Sequence, residues 1–338
     1  MKLSGQSWLA TPNVSWKWVT ATVLLWGIVM FSLHRSDLGD YLDSRIARPA
    51  DFATRQWLSK SPKLSEKLKI LSLDDKTFAQ LGKPSLNLEQ WLSLFRTIAA
   101  NKPRVIVVDG MFSVAEGDEK DLDRLYEGIR NIGVPIAVGG FVAKSEIQQR
   151  EPLSIDRSEY SISNMMGARS INDVNAEDIP QFTEAYNERA YGPTLELQNA
   201  FSHIGHFVYN EGRGKVSPAF RLADNSAMAH LALYAAKEMK ISQGRLAVDG
   251  QIIPLDGRGE VVVNFLPSTE LSPANKSLRG ILNRSMKGEK TSIVDEGDVV
   301  LILPLMFTGN TDFKVTPFGH QPGGYVVAAM INSVLTGQ

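Results

Sequence analysis

The chain of 338 residues has no cysteine, which excludes disulfide staples, thiolate-held zinc and thiol catalysis. It has no surplus of charge: 36 Lys and Arg face 37 Asp and Glu, a net charge of −1. Without a basic run it also lacks the electrostatic footprint of a nucleic-acid binder. Histidine is scarce, and His34, His203, His206, His230 and His320 form no H-E-x-x-H pair, so no metal site is read. No P-loop, no G-x-S-x-G elbow and no Rossmann glycine fingerprint is present. No cofactor and no catalytic residue is therefore expected.

Long apolar runs are missing too, with one exception. Residues 18–33 (WVTATVLLWGIVMFSL) carry no ionisable side chain, and a helix over them would reach about 24 Å. Trp16, Trp18 and Trp26 suit a headgroup boundary, and Lys17 can snorkel to it. This predicts a transmembrane signal anchor at 18–33 behind a cytoplasmic segment at 1–17. A cleaved signal fits less well, since HRSDLGDYLDSR offers no small-x-small site. A buried core helix would show polar residues at every turn. Arg35, Arg45 and Arg48 after the block outweigh Lys2 and Lys17 before it, so charge does not fix the orientation.

After the block, residues 34–66 read as a stalk of one or two short helices broken near Pro49. From Lys67 onward, short apolar runs alternate with amphipathic stretches, the pattern of βαβ units. KILSL (69–73), RVIVV (104–108) and PIAVGGF (135–141) read as strands. Between the first two, Leu88, Trp91, Leu92, Phe95, Ile98 and Ala99 form one helical face behind an Asn87/Gln90 capping box. A second helix is read from Asp118 to Gly133. The expected fold is α/β: a mostly parallel central sheet with flanking helices, three-layered and Rossmann-like, plus an antiparallel β extension.

Residues 144–191 are polar and read as an insertion in the domain 67–338. Beyond it the pattern predicts a helix from Pro193 to Gly205, a strand at HFVYN, a helix at 226–240, and strands at KVSPAFRL and EVVVNFL. RLAVDGQIIPL reads as a hairpin turning at Asp249-Gly250. A helix at 278–286, the strand VVLILPL (299–305) and a helix at 325–335 complete the chain.

In open parallel sheets, ligands bind where loops splay at the carboxyl ends of strands. Here those ends are acidic. Asp74, Asp75 and Asp109 follow two predicted strands, and Thr308, Asp312 and Thr316 follow a third. Such carboxylates suit a cation or the hydroxyl and amine groups of a small molecule. Asp109-Gly110 and Asp118 equally suit turn and cap work, whereas Asp74 and Asp312 are harder to assign to the backbone.

The order ILSLDDKTFAQLG, PRVIVVDGMFS, DLDRLYEGIR, PIAVGG and VVLILPLMFTGNTDFKVTPFGHQPGGYVVAAMINSVL resembles the second type of CHASE domain, the cyclase and histidine-kinase associated sensory extracellular domain. The resemblance covers roughly residues 37–338. It implies a domain outside the bacterial cytoplasmic membrane, single-pass here, that feeds a cytoplasmic effector lying beyond Gln338 or in a partner. Asp74 and Asp75 match the family's acidic first strand end, and Asp109 with Phe112 its D-x-x-F. Asp312, Thr316, Pro317 and Gly323 match its D…TP…PG loop. KPSLNLEQW replaces the family's W-P-W…R stretch.

Two functions are carried forward: signal input for an unknown small-molecule ligand, and an envelope assembly protein that uses the fold as an interaction surface. A homodimer or a membrane-protein partner is expected for either. A hydrolase built on Asp74, Asp109 and Asp312 lacks any nucleophile and base.

Overall fold

The computed structural model describes residues 16–34, 36–82, 86–110, 112, 121–144, 188–191, 197, 199–221, 227–242, 245–256, 259–305 and 312–337. Helix α1 (Trp16–His34) covers the apolar block, and Leu24, Leu25 and Ile28 are each over 60% exposed. Among the described residues no helix is long and apolar enough to cross a membrane. α1 comes nearest, its 19 residues reaching about 28 Å against a hydrocarbon core of about 30 Å.

The expected stalk differs. From α2 (Asp37–Leu42) the chain passes through one π-helical turn (Asp43–Ala47) into α3 (Arg48–Trp57), without a break at Pro49. Proline supplies no N–H and is tolerated in the first turn of a helix, where α3 holds it, and the wide turn before it absorbs the misfit. Nor does the segment stand free, since Arg48 and Phe52 are buried against the domain.

Strand β1 (Leu68–Asp74) leads into α4 (Asp75–Leu81). Helix α5 (Leu88–Ala99) follows behind its Asn87/Gln90 capping box, then β2 (Val105–Val108), α6 (Leu122–Arg130) and β3 (Ile136–Lys144). Asp118 lies outside the described residues, as does 145–187 of the expected insertion. β4 (Glu188–Tyr191) closes that stretch, antiparallel to β3.

The middle of the chain departs most from expectation. In place of the end of a helix, β5 (His203–His206) pairs parallel with β3; of the strand expected at HFVYN only His206 is in it, residues 207–209 are irregular and Asn210 bridges to Lys215. Three short strands follow: β6 (Lys215–Val216), β7 (Ala219–Arg221) and β8 (Ala227–Ala229). The helix expected over 226–240 is instead β8, a 3₁₀ turn (Leu231–Ala235) and β9 (Met239–Ser242). Leu231 to Ala235 are all buried, so the segment has no solvent face to impose a helical period. β10 (Arg245–Val248) and β11 (Gln251–Pro254) form the expected hairpin, with φ of 49° at Asp249 and 79° at Gly250 as a tight turn needs. Of EVVVNFL only β12 (Val261–Val262) is strand.

The last third holds α7 (Ser268–Ala274), β13 (Asn275–Ser277), α8 (Leu278–Met286) and β14 (Val299–Leu305). A hairpin follows inside the expected loop, β15 (Phe313–Thr316) with β16 (Gly319–Pro322), before α9 (Gly324–Thr336).

Six strands run parallel in the order β13-β1-β14-β2-β3-β5, bearing out the α/β expectation. β14 inserts between β1 and β2 and is buried on both faces: Val299, Leu301 and Leu303 pack on one side, Val300 and Ile302 on the other. The first side carries α9, the 3₁₀ turn and Phe52 of α3; the second carries α5, α6 and α8. That insertion puts the carboxyl ends of β1, β14 and β2 side by side.

Candidate functional site

The acidic strand ends serve different purposes. Asp74 closes β1 and caps α4: its Oδ1 accepts from the Thr77 amide (3.0 Å), the Thr77 hydroxyl (2.7 Å) and the Ser277 hydroxyl (2.8 Å). Partial burial raises its pKa, but these donors outweigh that and hold the carboxyl below its usual range. Asp75 sits in the first turn of α4 beside an open groove of about 670 Å³, shared with Lys76, Gln80, Arg279 and Asn283.

Asp109 follows β2, and its backbone N–H donates to Ile302 of β14 at 2.8 Å. Its side chain is 9% exposed and has no hydrogen-bond partner among the described residues. The carboxylate lies against the start of α9, where a Cβ on Gly324 would come within 2.8 Å of Oδ2 and 2.9 Å of Leu303 Cβ. Only glycine leaves that room. Burial first, and the charge of Asp312 second, push its carboxyl up to about 7, with Lys314 only partly offsetting them.

Asp312 approaches the same helix end from the β15 side. Its backbone oxygen accepts from the Gly323 amide at 2.9 Å, and a Cβ on Gly323 would overlap its carboxylate. Lys314 Nζ pairs with Asp312 Oδ1 at 2.8 Å and reaches Glu211 Oε1 at 3.7 Å. Partial burial works against the ammonium, but the bond to Asp312 and the two carboxylates hold its pKa above the usual value. Among the described residues no side chain caps the start of α9. Two carboxylates thus meet the Gly323-Gly324 step, with the Lys314–Glu211 pair reaching Asp312 from outside it.

Asp109 and Asp312 are therefore brought together, and Asp74 and Asp75 are not with them: β14 separates β1 from β2, about 10 Å at the spacing of strands. Phe112 packs on the other face, with ring centroids 4.9 Å from Trp91 and 4.7 Å from Phe201. The Thr316 hydroxyl donates to Gly319 O (2.8 Å) and holds the β15–β16 turn. Thr308 lies outside the described residues. Among the described residues no group of three His, Asp or Glu side chains is placed to hold a metal. Lys314, Glu211 and Gly324 were not read from the sequence. Lys314 carried a signal, two residues after Asp312 on an exposed hairpin; Glu211, a hundred residues away, carried none.

The turn that holds Glu211 has a second set of contacts. Tyr209 donates its hydroxyl to Val315 O of β15 at 2.9 Å. A few residues on, Gly212 O accepts from Ser44 (2.8 Å), Gly214 O from Arg48 Nη1 (2.7 Å), and Lys215 pairs with Asp40 (3.6 Å) and Asp256 (2.8 Å). Arg48 is held in turn by Asp43 at 2.7 Å. The residues 209–215 therefore grip the hairpin beside Asp312 with one end and the α2–α3 helix with the other. Phe52 of α3 adds a direct contact, 5.3 Å from Phe318 at the tip of the hairpin and 6.1 Å from Phe265.

The family model of the CHASE2 domain matches residues 19–338, nearly the whole chain. Neither the curated proteins nor the solved structures contain a match.

Proposed function

The chain belongs to the CHASE2 domain family, sensory domains typically found outside the cytoplasm in signalling receptors, and we propose that it is a membrane-anchored signal-input domain. A ligand at Asp109, Asp312 and the start of α9 shifts the β15–β16 hairpin, and the turn 209–215 passes the shift to α2–α3. The observation that carries this reading is the double grip of that turn. A sensor needs a continuous physical link between a site and the membrane-proximal helix, and two discrete arrangements of that link. Lys314–Glu211 at one end and Lys215–Asp40 with Arg48–Gly214 at the other supply the contacts of that link. The π-helical turn at Asp43–Ala47 supports the same reading, because such turns mark strained, adjustable places in helices.

In this reading α1 lies in the bacterial cytoplasmic membrane as a single pass. Its apolar side chains are exposed all round, with Trp16, Trp18 and Trp26 at 80%, 74% and 61%. Leaving so many large side chains in water would forgo roughly 1.5–3 kcal/mol for each one that lipid would otherwise cover. Snorkelling of Lys17 and interfacial tryptophans make up the few ångströms of missing length. The domain from β1 onward stands on the outer side, and the effector is a cytoplasmic partner or a further domain.

The test is a reporter enzyme that matures only outside the cytoplasm, fused after Gln338 of the full chain. Activity there, lost when residues 16–34 are deleted, is expected. Activity only from a cytoplasmic reporter at the same position would overturn the reading.

A further inference from the structure

We propose that the buried pair His206 and His230 is an acid switch: a fall in pH outside the membrane opens the junction that the two rings hold between β5 and the 3₁₀ turn. This rests on the reading of the turn 209–215 as the link to α2–α3, and it gives that link a second input, the proton, apart from the Asp109 cluster.

Both imidazoles are fully buried, with ring centroids 5.1 Å apart and planes at 81°. His206 ends β5, His230 caps the 3₁₀ turn, and the two backbones bridge the elements. In each ring Nδ1 accepts from the backbone N–H two residues on, Val208 at 3.3 Å and Ala232 at 3.2 Å. A ring nitrogen that accepts carries no proton, so each neutral ring has its N–H at Nε2. Both Nε2 atoms are buried without a hydrogen-bond partner. Neither donor is satisfied by the fold, which leaves the junction short of two hydrogen bonds.

That arrangement decides what the pair takes. A metal ion at Nε2 would need the ring proton on Nδ1, where an amide N–H already points. A second proton on either ring meets the same obstacle, so the closed junction refuses it and only the opened one accepts it. Water has no way in while β5 and the turn stay together, since a Cβ on Gly205 would come within 2.7 Å of Leu231 Cα. Nor does a countercharge face either ring among the described residues. β3 lies opposite with Gly139 and Gly140, and β7 brings Phe220, 4.4 Å from His206. The turn carries Tyr234, which donates to Ile204 O (3.1 Å) and stacks on the half-buried His203 at 4.5 Å. Arg104, 3.6 Å from Asp249, donates to Ala235 O at the other end of the turn. Burial accordingly holds both rings neutral, His230 down to about 3 and His206 well below the usual histidine value. Opening releases Val208 and the irregular chain 207–209, whose Tyr209 hydroxyl holds β15 at Val315 O. That is the start of the turn that grips α2–α3.

The size of the response follows from linkage. An exposed ring with an ordinary pKa near 6.5 multiplies the opening equilibrium about 25-fold between pH 7 and pH 5, and two rings about 600-fold. The experiment is amide hydrogen exchange of the full chain in lipid nanodiscs at pH 7, 6 and 5, with each rate divided by the intrinsic rate at that pH. Protection over 204–209 and 230–236 is expected to fall several hundred-fold, with 88–99 in α5 unchanged. His206→Asn and His230→Asn each keep a side-chain acceptor for the amide two residues on and do not titrate, so each should remove about 25-fold of the fall. A fall below tenfold in the wild type, an equal fall in α5, or a double Asn variant as acid-sensitive as the wild type would overturn the proposal. Should the double variant not fold, the wild-type series and the single variants decide it. A further peptide over 37–48 separates the two readings. Opening at 204–209 without faster exchange at 37–48 would sustain the acid switch and sink its coupling to the membrane-proximal helix.

Discussion

Replacing Asp109 by Asn should make the unliganded protein more stable. The carboxyl has a folded pKa of about 7 against 3.8 for an ordinary aspartate. A raised folded pKa means that the native state holds a proton the unfolded chain has already released. The stabilising difference is whole below about pH 4 and is lost as pH rises through 7. Three units at about 1.4 kcal/mol each set a ceiling of about 4 kcal/mol on the burden of the ionised carboxylate above pH 7. Relaxation and water entry reduce this, so about 2 kcal/mol is the expected gain for Asn, which has nearly the same shape and no charge to desolvate. For a chain of this size that is a rise in Tm of about 4 °C. Denaturation of the wild type and Asp109→Asn at intervals from pH 4 to 8 reads it directly. The two curves should converge near pH 4, separate as pH rises to about 7 and keep a constant gap above it. A variant less stable than wild type at pH 8, or a gap that does not change with pH, would show that Asp109 is satisfied in the fold and refute the argument.

Asp74→Ala should cost about 1–2 kcal/mol through the lost cap on α4, at every pH above its depressed pKa, and leave the exchange of 323–330 untouched. Gly324→Ala should destabilise by more than 1 kcal/mol in denaturant titration, since its Cβ meets Asp109 Oδ2 and Leu303 Cβ; in Asp109→Gly, which removes one of the two obstacles, the same change should cost less. Phe52→Ala should cost about 3 kcal/mol and speed amide exchange in α3 more than in α5, because Phe52 pins α3 to the hairpin and to Phe265. His230 is buried and held neutral, its pKa lowered to about 3, and its Nε2 has no partner among the described residues. The unfolded chain takes up that proton first as pH falls, so stability should drop below about pH 6.5, by up to about 1.4 kcal/mol per unit for this one residue. A His230→Gln variant with an unaltered acid limb in its pH profile would contradict this.

The parts of the fold that were legible in the sequence have local causes. Asn87 and Gln90 announce the start of α5, Asp249-Gly250 the β10–β11 turn, and the run VVLILPL the central strand, because caps, turns and buried runs depend on neighbours in sequence. The stretch Leu231–Ala235 was misleading because a segment buried on all sides has no polar period to read. The site was half legible. Asp74 and Asp109 are the same letter at the end of similar strands, and the former was the harder to dismiss. What separates them is the position of β14: it brings Leu303 and the start of α9 beside Asp109, while Thr77 and Ser277 close around Asp74. Strand order is a long-range property, set by packing of segments some two hundred residues apart. The Lys314–Glu211 pair and the grip on Arg48 are hidden for the same reason.

The account stands or falls on the link between the site and the membrane-proximal helix. Amide exchange in residues 37–48 of the full chain, compared between wild type and Glu211→Gln, measures it most directly. Among the described residues Glu211 pairs with Lys314, so a faster exchange at 37–48, with α5 and α8 unchanged, is the result the account predicts. Identical exchange at 37–48 in the two proteins would contradict it.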